Sequence, residues 1–550
     1  MSSSPLVVDL ETQTPTGKPD FREDIVERVG WLEEGAKTAK WAGCVCPLAG
    51  VWYNHKSVLM HNAMYDFGIL HRLQRWDLHD MGVHDTLALA YALGEQDLSL
   101  KGLGQKYLGV QTVTHSQQEK IGPEQYHAQD LWLTQRLWGK LRGMERGTAY
   151  DIDRALIPAL IDCSYRGYEI DQERLEQATL AAEATCGRTR KAFERLVGEV
   201  SILCSRRKKT TKKQGTEYIE TFGPPSINSP IQLQRYFGID STSKETLDEI
   251  AKGDDDQALA AALIGQWRKS DKLLDTYFYP NRRKEKLTGL FNITPSESGE
   301  GGTGTGRLSS ERSNMQNLTP ALERCLRAPD GYLLMRADYP QLELRCAAEL
   351  SNDEYLIGAF QEGRDLHEET RAWLGLDSRV KAKNFNFGAG LYGGGADYVS
   401  RIVGRPRNQV AELMQKHRQL WTGWWNWTEE HWRRVQRTSY SVAPEPFLHK
   451  RYIPLLAGDH TKKAAVNHPV QCMAVYICKE AMVRLFREGW LLVNQVHDAI
   501  HCYVPSDDNI DLRKQQFREI MESTAAKYLP RIGAAPVDVK VGRYWSQEEA

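Results

Sequence analysis

An aspartate inside an apolar segment is the feature that most restricts how this chain folds. The segment LLVNQVHDAIHCYV, at 491–504, carries His497 and Asp498 between two apolar runs. A buried carboxylate is costly unless a partner compensates it. Aspartate is common where two strands turn, because its side chain caps nearby backbone groups. The segment therefore predicts a strand–turn–strand unit. It leaves open whether Asp498 only shapes the turn or also binds a ligand.

Length and composition are those of an ordinary globular protein. The 550 residues allow roughly two to four domains, and 41% of them are hydrophobic against 26% charged. No segment approaches the ~20 apolar residues of a membrane span, and the first residues lack the features of a signal peptide. The ten scattered cysteines give no disulfide framework. We therefore expect a cytoplasmic protein in a reducing compartment, with no membrane association.

The charge is balanced but unevenly distributed. The 71 basic and 72 acidic residues give a net charge of −1, which neither favours nor excludes a nucleic-acid partner. The segment SRRKKTTKK, at 205–213, is strongly basic. Such a run is most simply a solvated loop, and the alternative is a surface that binds DNA or a protein.

Hydrophobic patterning predicts an α+β protein in two main blocks. The first ~145 residues mix strand-like segments such as PLVVDLE with helical ones. A long helical stretch begins near residue 154, and strand-like segments at 332–338, 491–496 and 499–504 flank a helical middle. The glycine-rich SESGEGGTGTGR, at 296–307, allows the backbone to approach a ligand closely.

Carboxylates in the first block are spaced as in a metal site. Asp9 and Glu11 lie at i and i+2 of a strand, so both point to one face, where they repel unless a cation lies between them. Asp66 falls in NAMYD, and Tyr126 and Asp130 share one helix face at i and i+4. Taken singly, each carboxylate is most simply a surface residue. Together they offer an all-oxygen site for two divalent ions that activate water against a phosphodiester.

The order D-x-E, N-x-x-x-D and Y-x-x-x-D, within residues 5–145, resembles the DEDD family of 3′–5′ exonucleases, in the subtype that carries tyrosine. The resemblance implies a ribonuclease H-like domain in which Tyr126 positions the attacking water. It also implies four metal-binding carboxylates: Asp9, Glu11, Asp66 and Asp130.

Five multi-residue motifs follow one another in the second block. They are TGTGRLSSERSNMQNL (303–318), LLMRADYPQLELR (333–345), RVKAKNFNFGAGLYGGG (379–395), NHPVQ (467–471) and QVHDAI (495–500). In this order and spacing they resemble family A DNA polymerases of the bacterial DNA polymerase I type. The resemblance implies a right-hand fold of palm, fingers and thumb after the exonuclease domain. The implied domains are the exonuclease at 1–145 and the polymerase at 146–550, with the thumb at 150–290, the fingers at 356–469 and the palm at 291–355 and 470–550.

Two aspartates of this block are candidates for the catalytic centre. Asp338 ends one apolar strand and Asp498 lies at the predicted turn. If the strands are neighbours, both carboxylates meet at one edge of a sheet, where two Mg²⁺ ions, or Mn²⁺ as a substitute, would compensate them. One ion would activate the primer 3′-hydroxyl, and the other would hold the triphosphate and the departing pyrophosphate. The family pattern implies that His497 contacts the primer terminus, and a core histidine is the alternative.

A helix of the predicted fingers presents two cations and an aromatic ring on one face. Arg379, Lys383 and Phe387 lie at i, i+4 and i+8. The cations suit a triphosphate and the ring suits stacking on a base, although an amphipathic surface helix has the same spacing. The resemblance implies that Phe387, where some relatives have tyrosine, discriminates against dideoxynucleotides.

Other residues take their predicted roles from the family resemblance alone. Gln341 and Glu343 are placed beside the sugar of the incoming nucleotide, where the Glu343 carboxylate would exclude a ribose 2′-hydroxyl and select deoxynucleotides. His367 is placed near the triphosphate. Five further residues are predicted to follow the primer–template DNA: Arg307, Gln316, Asn317, Asn467 and Gln471.

The chain departs from the family pattern at three positions. Ala499 stands where the family has glutamate after the hairpin aspartate. We expect synthesis to survive this change with an altered metal dependence, and the alternative is a catalytically weak second block. Pro340 replaces the usual serine. The spacing from Phe387 to Tyr392, a further nucleotide-binding candidate, is one residue longer than usual. Since one residue rotates a regular helix by ~100°, we predict either a bulge there or another residue in the role of Tyr392.

These patterns predict a DNA-templated DNA polymerase with a 3′–5′ proofreading exonuclease. A chain that begins at the exonuclease, without a 5′-nuclease domain, resembles phage replicative enzymes, so phage DNA replication in the host cytoplasm is the expected setting. The expected partners of the monomer are primer–template DNA, deoxynucleoside triphosphates and a processivity or replisome protein. The alternatives are a 3′–5′ exonuclease whose second block only holds DNA, and a non-enzymatic single-strand-binding protein.

Overall fold

The computed structural model describes most of the chain. It covers residues 4–15, 18–33, 35–45, 48, 51, 54–74, 82–113, 121–211, 215–295, 304–455, 459–533 and 535–546. Most of the glycine-rich segment expected at 296–307 lies outside the described residues, as do the last two residues of the basic segment 205–213. The chain forms two compact units, of which the first comprises Met1–Tyr168, Thr288–Asn317 and Ala328–Arg543, and the second Glu169–Leu287, Leu318–Arg327 and Tyr544–Ala550.

The first unit begins with a five-stranded sheet. PLVVDLE forms the mostly buried central strand Leu6–Gln13, as predicted. In sheet order the strands are Lys40–Ala42, Ile25–Leu32, Leu6–Gln13, Ser57–Met60 and Gly82–Asp85. The accompanying helices are Ala63–Gln74, Thr86–Ala92, Leu100–Leu108 and Pro123–Leu141. The last of these packs against the central strand, so its first turns lie near the strand that carries Asp9 and Glu11.

The long helical stretch predicted after residue 154 is interrupted. A helix runs from Ala149 to Arg166 in the first unit and ends at Gly167, whose φ of +54° is a conformation that glycine adopts readily. The strand Tyr168–Ile170 follows, and a second helix starts at Gln172. The prediction of one long helical stretch was therefore wrong at residues 167–171.

A four-stranded antiparallel sheet carries the three strands predicted in the second block. The order is Leu491–Val496, Ala499–Pro505, Tyr332–Asp338 and Asp538–Gly542. His497 and Asp498 form the tight turn between the first two strands, and His497 has a left-handed φ of +53°. Helix Asp459–Arg487 packs on neighbouring helices of the same unit, including Leu342–Ser351 and Ile510–Tyr528.

The rest of the first unit is mainly helical. Two short antiparallel pairs are formed by Leu290–Asn292 with Ser309–Glu311 and by Tyr440–Val442 with Lys450–Tyr452. The remaining α-helices are Glu354–Gln361, Leu366–Leu374, Arg379–Phe385, Ala396–Val403, Arg407–Leu420 and Thr422–Thr438. Between two of them lies a π-helical segment, Asn386–Leu391.

The second unit has its own apolar core. Its helices are Gln172–Leu196, Pro230–Phe237, Lys244–Ile250, Asp256–Lys272 and Pro320–Glu323, with a π-helical segment at Leu273–Phe278 and a 3₁₀ turn at Tyr279–Asn281. Its strands are the hairpin Ile202–Thr211 and Gly215–Gly223 and a small sheet of Leu326–Arg327, Tyr168–Ile170 and Lys286–Leu287. The core includes Phe193, Leu233, Ile264 and Trp267. A thumb at 150–290 stays a prediction, and its first residues, up to 168, belong to the first unit.

Across the described ranges, no helix has both the length and the apolar composition that crossing a membrane requires.

Candidate active sites

Asp338 and Asp498 meet at one end of the four-stranded sheet. Asp338 is the last residue of its strand and lies directly opposite Ala499, the residue that follows Asp498. The Tyr339 amide donates a hydrogen bond to the Asp498 carbonyl at 3.3 Å. The prediction that these two aspartates converge at one sheet edge is confirmed.

The surroundings disfavour the charged form of both carboxylates. Burial, together with the charges of Glu343 and Asp338, raises the pKa of Asp498 to about 7, against an opposing effect of Arg307. Asp338 keeps contact with solvent, yet desolvation by the protein and the charge of Asp538 raise its pKa as well. Two carboxylates that repel each other in this way are a ready site for a divalent cation.

Asp538 is a third carboxylate that sequence reasoning missed. It pairs directly with Asp338 on the strand opposite Ala499, so Ala499, Asp338 and Asp538 form one row across the sheet. Directly opposed residues of antiparallel strands share a face, which puts both carboxylates on the same side. The alternating VDVKVG at 537–542 indicates a strand, but nothing local tells which strand it joins.

Glu343 forms the centre of a polar cluster beside this edge. Its side chain is buried and accepts hydrogen bonds from the Arg307 guanidinium and, at 2.5 Å, from the Tyr392 hydroxyl. Burial and the Glu343 charge raise the pKa of Tyr392 well above its usual range, so the hydroxyl keeps its proton. Arg307, Glu343 and Tyr392, which come from three different sequence motifs, therefore form one hydrogen-bonded cluster.

The predicted bulge between Phe387 and Tyr392 is present. The π-helical segment Asn386–Leu391 widens the helix by one residue, and the Tyr392 amide donates to the Phe387 carbonyl five residues earlier, at 2.8 Å. The two aromatic rings lie 6.1 Å apart between centroids. The wider turn thus returns Tyr392 to the side of the helix that carries Phe387.

Arg379 and Lys383, on helix Arg379–Phe385, lie near His367. Arg379 forms an ion pair with Asp365, with a distance of 2.6 Å between Nε and Oδ2. The ring of His367 lies 5.9 Å from that of Phe387. Burial and the charge of Arg379 lower the pKa of His367 to about 4, so its imidazole is neutral. Its buried Nε2 has no hydrogen-bond partner among the described residues.

Lys383 and Gln341 complete the surroundings of the sheet edge. The Lys383 charge is one of those that lower the pKa of Asp338, which places the ammonium within electrostatic range. Gln341 adopts a left-handed conformation, with φ +59°, immediately before helix Leu342–Ser351. Its buried Oε1 has no hydrogen-bond partner in the described part of the chain.

The residues predicted to follow DNA occupy two places in the first unit. Gln316 accepts a hydrogen bond from Ser310 and donates one to the Gln495 carbonyl at 3.5 Å, next to the His497 turn. The Asn317 amide donates to the Asn314 carbonyl in the same loop. Asn467 and Gln471 lie one turn apart on helix Asp459–Arg487. Asn467 also lines a cavity of about 240 Å³ that Tyr392, Lys462 and Lys463 border.

The carboxylates of the first block gather on the N-terminal sheet. Asp9, Glu11 and His127 each offer a ligand atom, and these atoms lie within 4.8 Å of one another. Asp66 is buried, and its pKa is raised by burial and then by the charges of Asp9, Asp85 and Glu11. Three of the four predicted carboxylates are therefore brought together.

Two basic residues accompany these carboxylates, and sequence reasoning missed both. His127 Nε2 lies 3.0 Å from Asp9 Oδ2, and although burial lowers the pKa of His127, the Asp9 contact outweighs it and raises that pKa. Lys101 forms an ion pair with Asp130 and lies 4.5 Å from the centroid of the Tyr126 ring. His127 directly follows the tyrosine of the Y-x-x-x-D motif, but Lys101 gives no signal in the sequence.

The likeness to known proteins agrees with this geometry. A family model described as DNA polymerase family A matches residues 197–547. The thermostable DNA polymerase I of Thermus filiformis is 30% identical over 501 residues, which cover 84% of this chain and 54% of that protein. DNA polymerase I of Pseudomonas aeruginosa is 28% identical over 506 residues, which cover 85% of this chain and 52% of that protein. The chain thus spans about half the length of these curated relatives.

A solved structure has the same fold. The POL domain of Pol1 from M. smegmatis, determined in complex with a DNA primer-template and dNTP, superposes with a TM-score of 0.78 at 18% sequence identity. The match covers 98% of this chain and 96% of that one. Because the family model covers more than half of the residues, this protein belongs to DNA polymerase family A.

Proposed function

We propose that this chain is a DNA-templated DNA polymerase that carries a 3′–5′ exonuclease at a second site. The observation that carries the polymerase function is the meeting of Asp338 and Asp498 at one sheet edge, next to Lys383 and the fingers helix. Membership of family A supports it. Its substrates would be primer–template DNA and deoxynucleoside triphosphates, the ligands of the structural relative.

The sheet edge fits a pair of Mg²⁺ or Mn²⁺ ions. Asp338 and Asp498 offer carboxylate oxygens, the donors that these hard cations prefer. Burial first, and neighbouring negative charges second, raise the pKa of both, and a bound cation would offset both effects. Bound ions would acidify the primer hydroxyl and stabilise the charge on the leaving pyrophosphate. Asp538, in the same row, would help to hold them, in place of the glutamate that is absent at position 499.

The triphosphate would bind along the fingers helix. Arg379 would exchange its carboxylate partner, Asp365, for phosphate oxygens, while Lys383 adds a second cation. The neutral His367 has an Nε2 atom with no hydrogen-bond partner in the described ranges, and a phosphate oxygen would satisfy it. Phe387 and Tyr392, on the same side of the helix, would then contact the base.

An immobilised Glu343 would select deoxynucleotides. Arg307 and Tyr392 hold its carboxylate from two sides, so it cannot swing away from a ribose 2′-hydroxyl. Glu343→Ala should therefore lower the preference for dATP over ATP roughly 10- to 200-fold, the range in which a pocket discriminates by shape. Single-nucleotide insertion kinetics with both substrates measure this ratio.

The control for that variant is Glu349→Gln, on the same helix. Glu349 contacts Arg531 rather than the Glu343 cluster, so the substitution should leave the dATP/ATP ratio unchanged. An unchanged ratio in Glu343→Ala, with normal dATP insertion, would remove Glu343 from nucleotide selection.

The exonuclease would use the carboxylates of the N-terminal sheet. Asp9, Glu11 and Asp66 would bind the metal ions, and Asp130 would join them once it exchanges Lys101 for a cation. Tyr126 would orient the attacking water, and His127 would keep Asp9 in place through its hydrogen bond. With a polymerase on the same chain, removal of the last nucleotide would serve proofreading.

A labelled primer–template tests both activities in one assay. With Mg²⁺ and four deoxynucleotides the primer should lengthen, and with Mg²⁺ alone it should shorten. Ala499 favours a second candidate, an exonuclease whose polymerase half mainly binds DNA. Shortened products under both conditions would support that candidate and refute the polymerase.

The pKa of Asp498 determines how the stabilisation of the protein by Mg²⁺ depends on pH. An acid whose pKa rises to about 7 on folding makes the metal-free chain less stable as the pH increases from about 4, the usual pKa of an aspartate, to about 7. Mg²⁺ binds the ionised form, and each pH unit below 7 should weaken its binding about ten-fold. The rise in Tm on adding Mg²⁺ should therefore be larger at pH 8 than at pH 6.

That measurement needs a background without the second site, because burial also raises the pKa of Asp66. In an Asp66→Asn chain, the pH-dependent part of the Mg²⁺ effect should come from the sheet edge alone. Adding Asp498→Asn should lower it, leaving only the contribution of Asp338, whose pKa is also raised. A Tm rise that is equal at both pH values would contradict metal binding by Asp498.

The basic segment 205–213 is the surface on which we propose a further partner. Its described backbone lies on the hairpin Ile202–Thr211 and Gly215–Gly223 of the second unit. Contact with DNA phosphates there would give a salt-sensitive, sequence-independent grip. A processivity protein, and a role in phage replication, stay predictions.

A further inference from the structure

A buried cluster of histidine and cysteine side chains lies apart from the residues used so far. His449 precedes strand Lys450–Tyr452, and His468 and Cys472 lie on helix Asp459–Arg487. All three are fully buried. One ligand atom from each, nitrogen or sulfur, lies within 4.8 Å of the other two.

Hydrogen bonds fix the protonation of His468. The Ser441 hydroxyl donates its one proton to the Ala465 carbonyl at 2.9 Å. It must therefore accept from His468 Nδ1, 3.0 Å away, and from His431 Nε2, also at 3.0 Å. A neutral His468 therefore carries its proton on Nδ1. Its Nε2 lone pair then points into the cluster, where His449 Nδ1 lies 3.1 Å away.

The metal-free arrangement leaves one polar atom unsatisfied. If His449 Nδ1 donates to His468 Nε2, the neutral His449 ring has a bare acceptor at Nε2. That atom is buried and has no hydrogen-bond partner among the described residues. The Tyr91 ring lies against His449, with 4.7 Å between centroids.

We propose that His449, His468 and Cys472 bind a zinc ion. Two imidazoles and a thiolate suit Zn²⁺, which binds histidine nitrogen and cysteine sulfur. His468 and Cys472, at i and i+4, share one helix face, and His449 faces them from the hairpin. The Ser441 bond to His468 Nδ1 is the outer contact that orients a metal-binding histidine. A water molecule would complete the tetrahedron.

Zinc binding would release one proton and move another. On binding, the Cys472 thiol releases its proton to solvent and the sulfur forms the bond to zinc, while His449 moves its proton from Nδ1 to Nε2. Nearby charges come from Arg451, Lys479 and Asp153, and Lys479 is already paired with Asp153 at 2.6 Å. The thiolate therefore offsets one of the two zinc charges, the Lys479–Asp153 pair adds no net charge, and Arg451 adds one positive charge near the two histidines.

Zinc at this place would fasten the hairpin Tyr440–Val442 and Lys450–Tyr452 to helix Asp459–Arg487. The same helix carries Asn467 and Gln471. A metal bond here would thus stabilise the segment on which we place the DNA contacts, independently of any ion at the catalytic carboxylates.

Metal analysis of the full-length chain tests the site directly. Protein purified without chelator should contain about one zinc per chain. After zinc removal and addition of Co²⁺, a near-ultraviolet sulfur-to-cobalt absorption band should appear, and removal should lower the Tm. Less than about a tenth of an equivalent of zinc, with no cobalt band after reloading, would overturn the site.

Matched variants locate the metal. Cys472→Ala should abolish the cobalt band and lower the zinc content at least about ten-fold. Cys478→Ala removes an equally buried cysteine of the same helix and should leave both unchanged. If Cys472→Ala does not fold, His449→Gln provides the second test. Zinc that persists in a folded Cys472→Ala or His449→Gln chain would refute the assignment.

Discussion

An Asp338→Asn chain should lose primer extension by about a thousand-fold or more, while it still shortens 3′ ends at the normal rate. The substitution keeps the shape of the side chain but removes one of two charges that would hold the catalytic ions. Asp498, with its raised pKa, cannot replace that charge alone. Rapid-quench extension and a separate degradation assay without nucleotides measure the two rates.

The matched control lies beside the other end of the same strand. Asp330 is exposed and pairs with Arg543, so Asp330→Asn should leave extension unchanged. Thermal melting of each variant shows whether the fold persists. Extension that survives in a folded Asp338→Asn chain would contradict the proposal that Asp338 and Asp498 form the site of synthesis.

Features set by local sequence could be predicted correctly. The strand that ends at Asp338 and the turn at Asp498 follow from apolar runs and a turn residue within a few positions. The π-helical segment before Tyr392 follows from counting one extra residue between two aromatic positions. In each case the residues that determine the local structure are the same few residues from which it was predicted.

Features set by pairing between distant segments could not be predicted. Asp538 becomes a neighbour of Asp338 only through strand register, about 200 residues along the chain. Lys101 reaches Asp130 because two helices pack together. The local sequence predicts neither contact, because the alternation of a strand or the periodicity of a helix does not indicate which other segment packs against it.

The same limit hid the cluster of His449, His468 and Cys472. Sequence reasoning looks for zinc ligands as two closely spaced pairs, and only His468 and Cys472 form such a pair. The hairpin brings His449 to them. The break at Gly167 is the opposite case, because its signal is local: a single glycine ends the helix.

An Asp9→Ala chain should show the opposite loss from Asp338→Asn. Degradation of 3′ ends should fall about a thousand-fold, because the variant removes a proposed metal ligand and also the hydrogen-bond partner of His127. Extension from a matched primer should stay normal. Extension from a mismatched primer should increase, since the terminal nucleotide is no longer removed before synthesis resumes.

Glu33→Gln is the control for that change, because Glu33 pairs with Lys40 on the surface of the same sheet. Its degradation and extension rates should match those of the unmodified chain. The pair of variants also tests whether the two sites are separate. If Asp9→Ala and Asp338→Asn each abolish both activities while the chain remains folded, one shared site would have to perform both reactions. In that case the gathering of carboxylates on the N-terminal sheet would have a structural origin only.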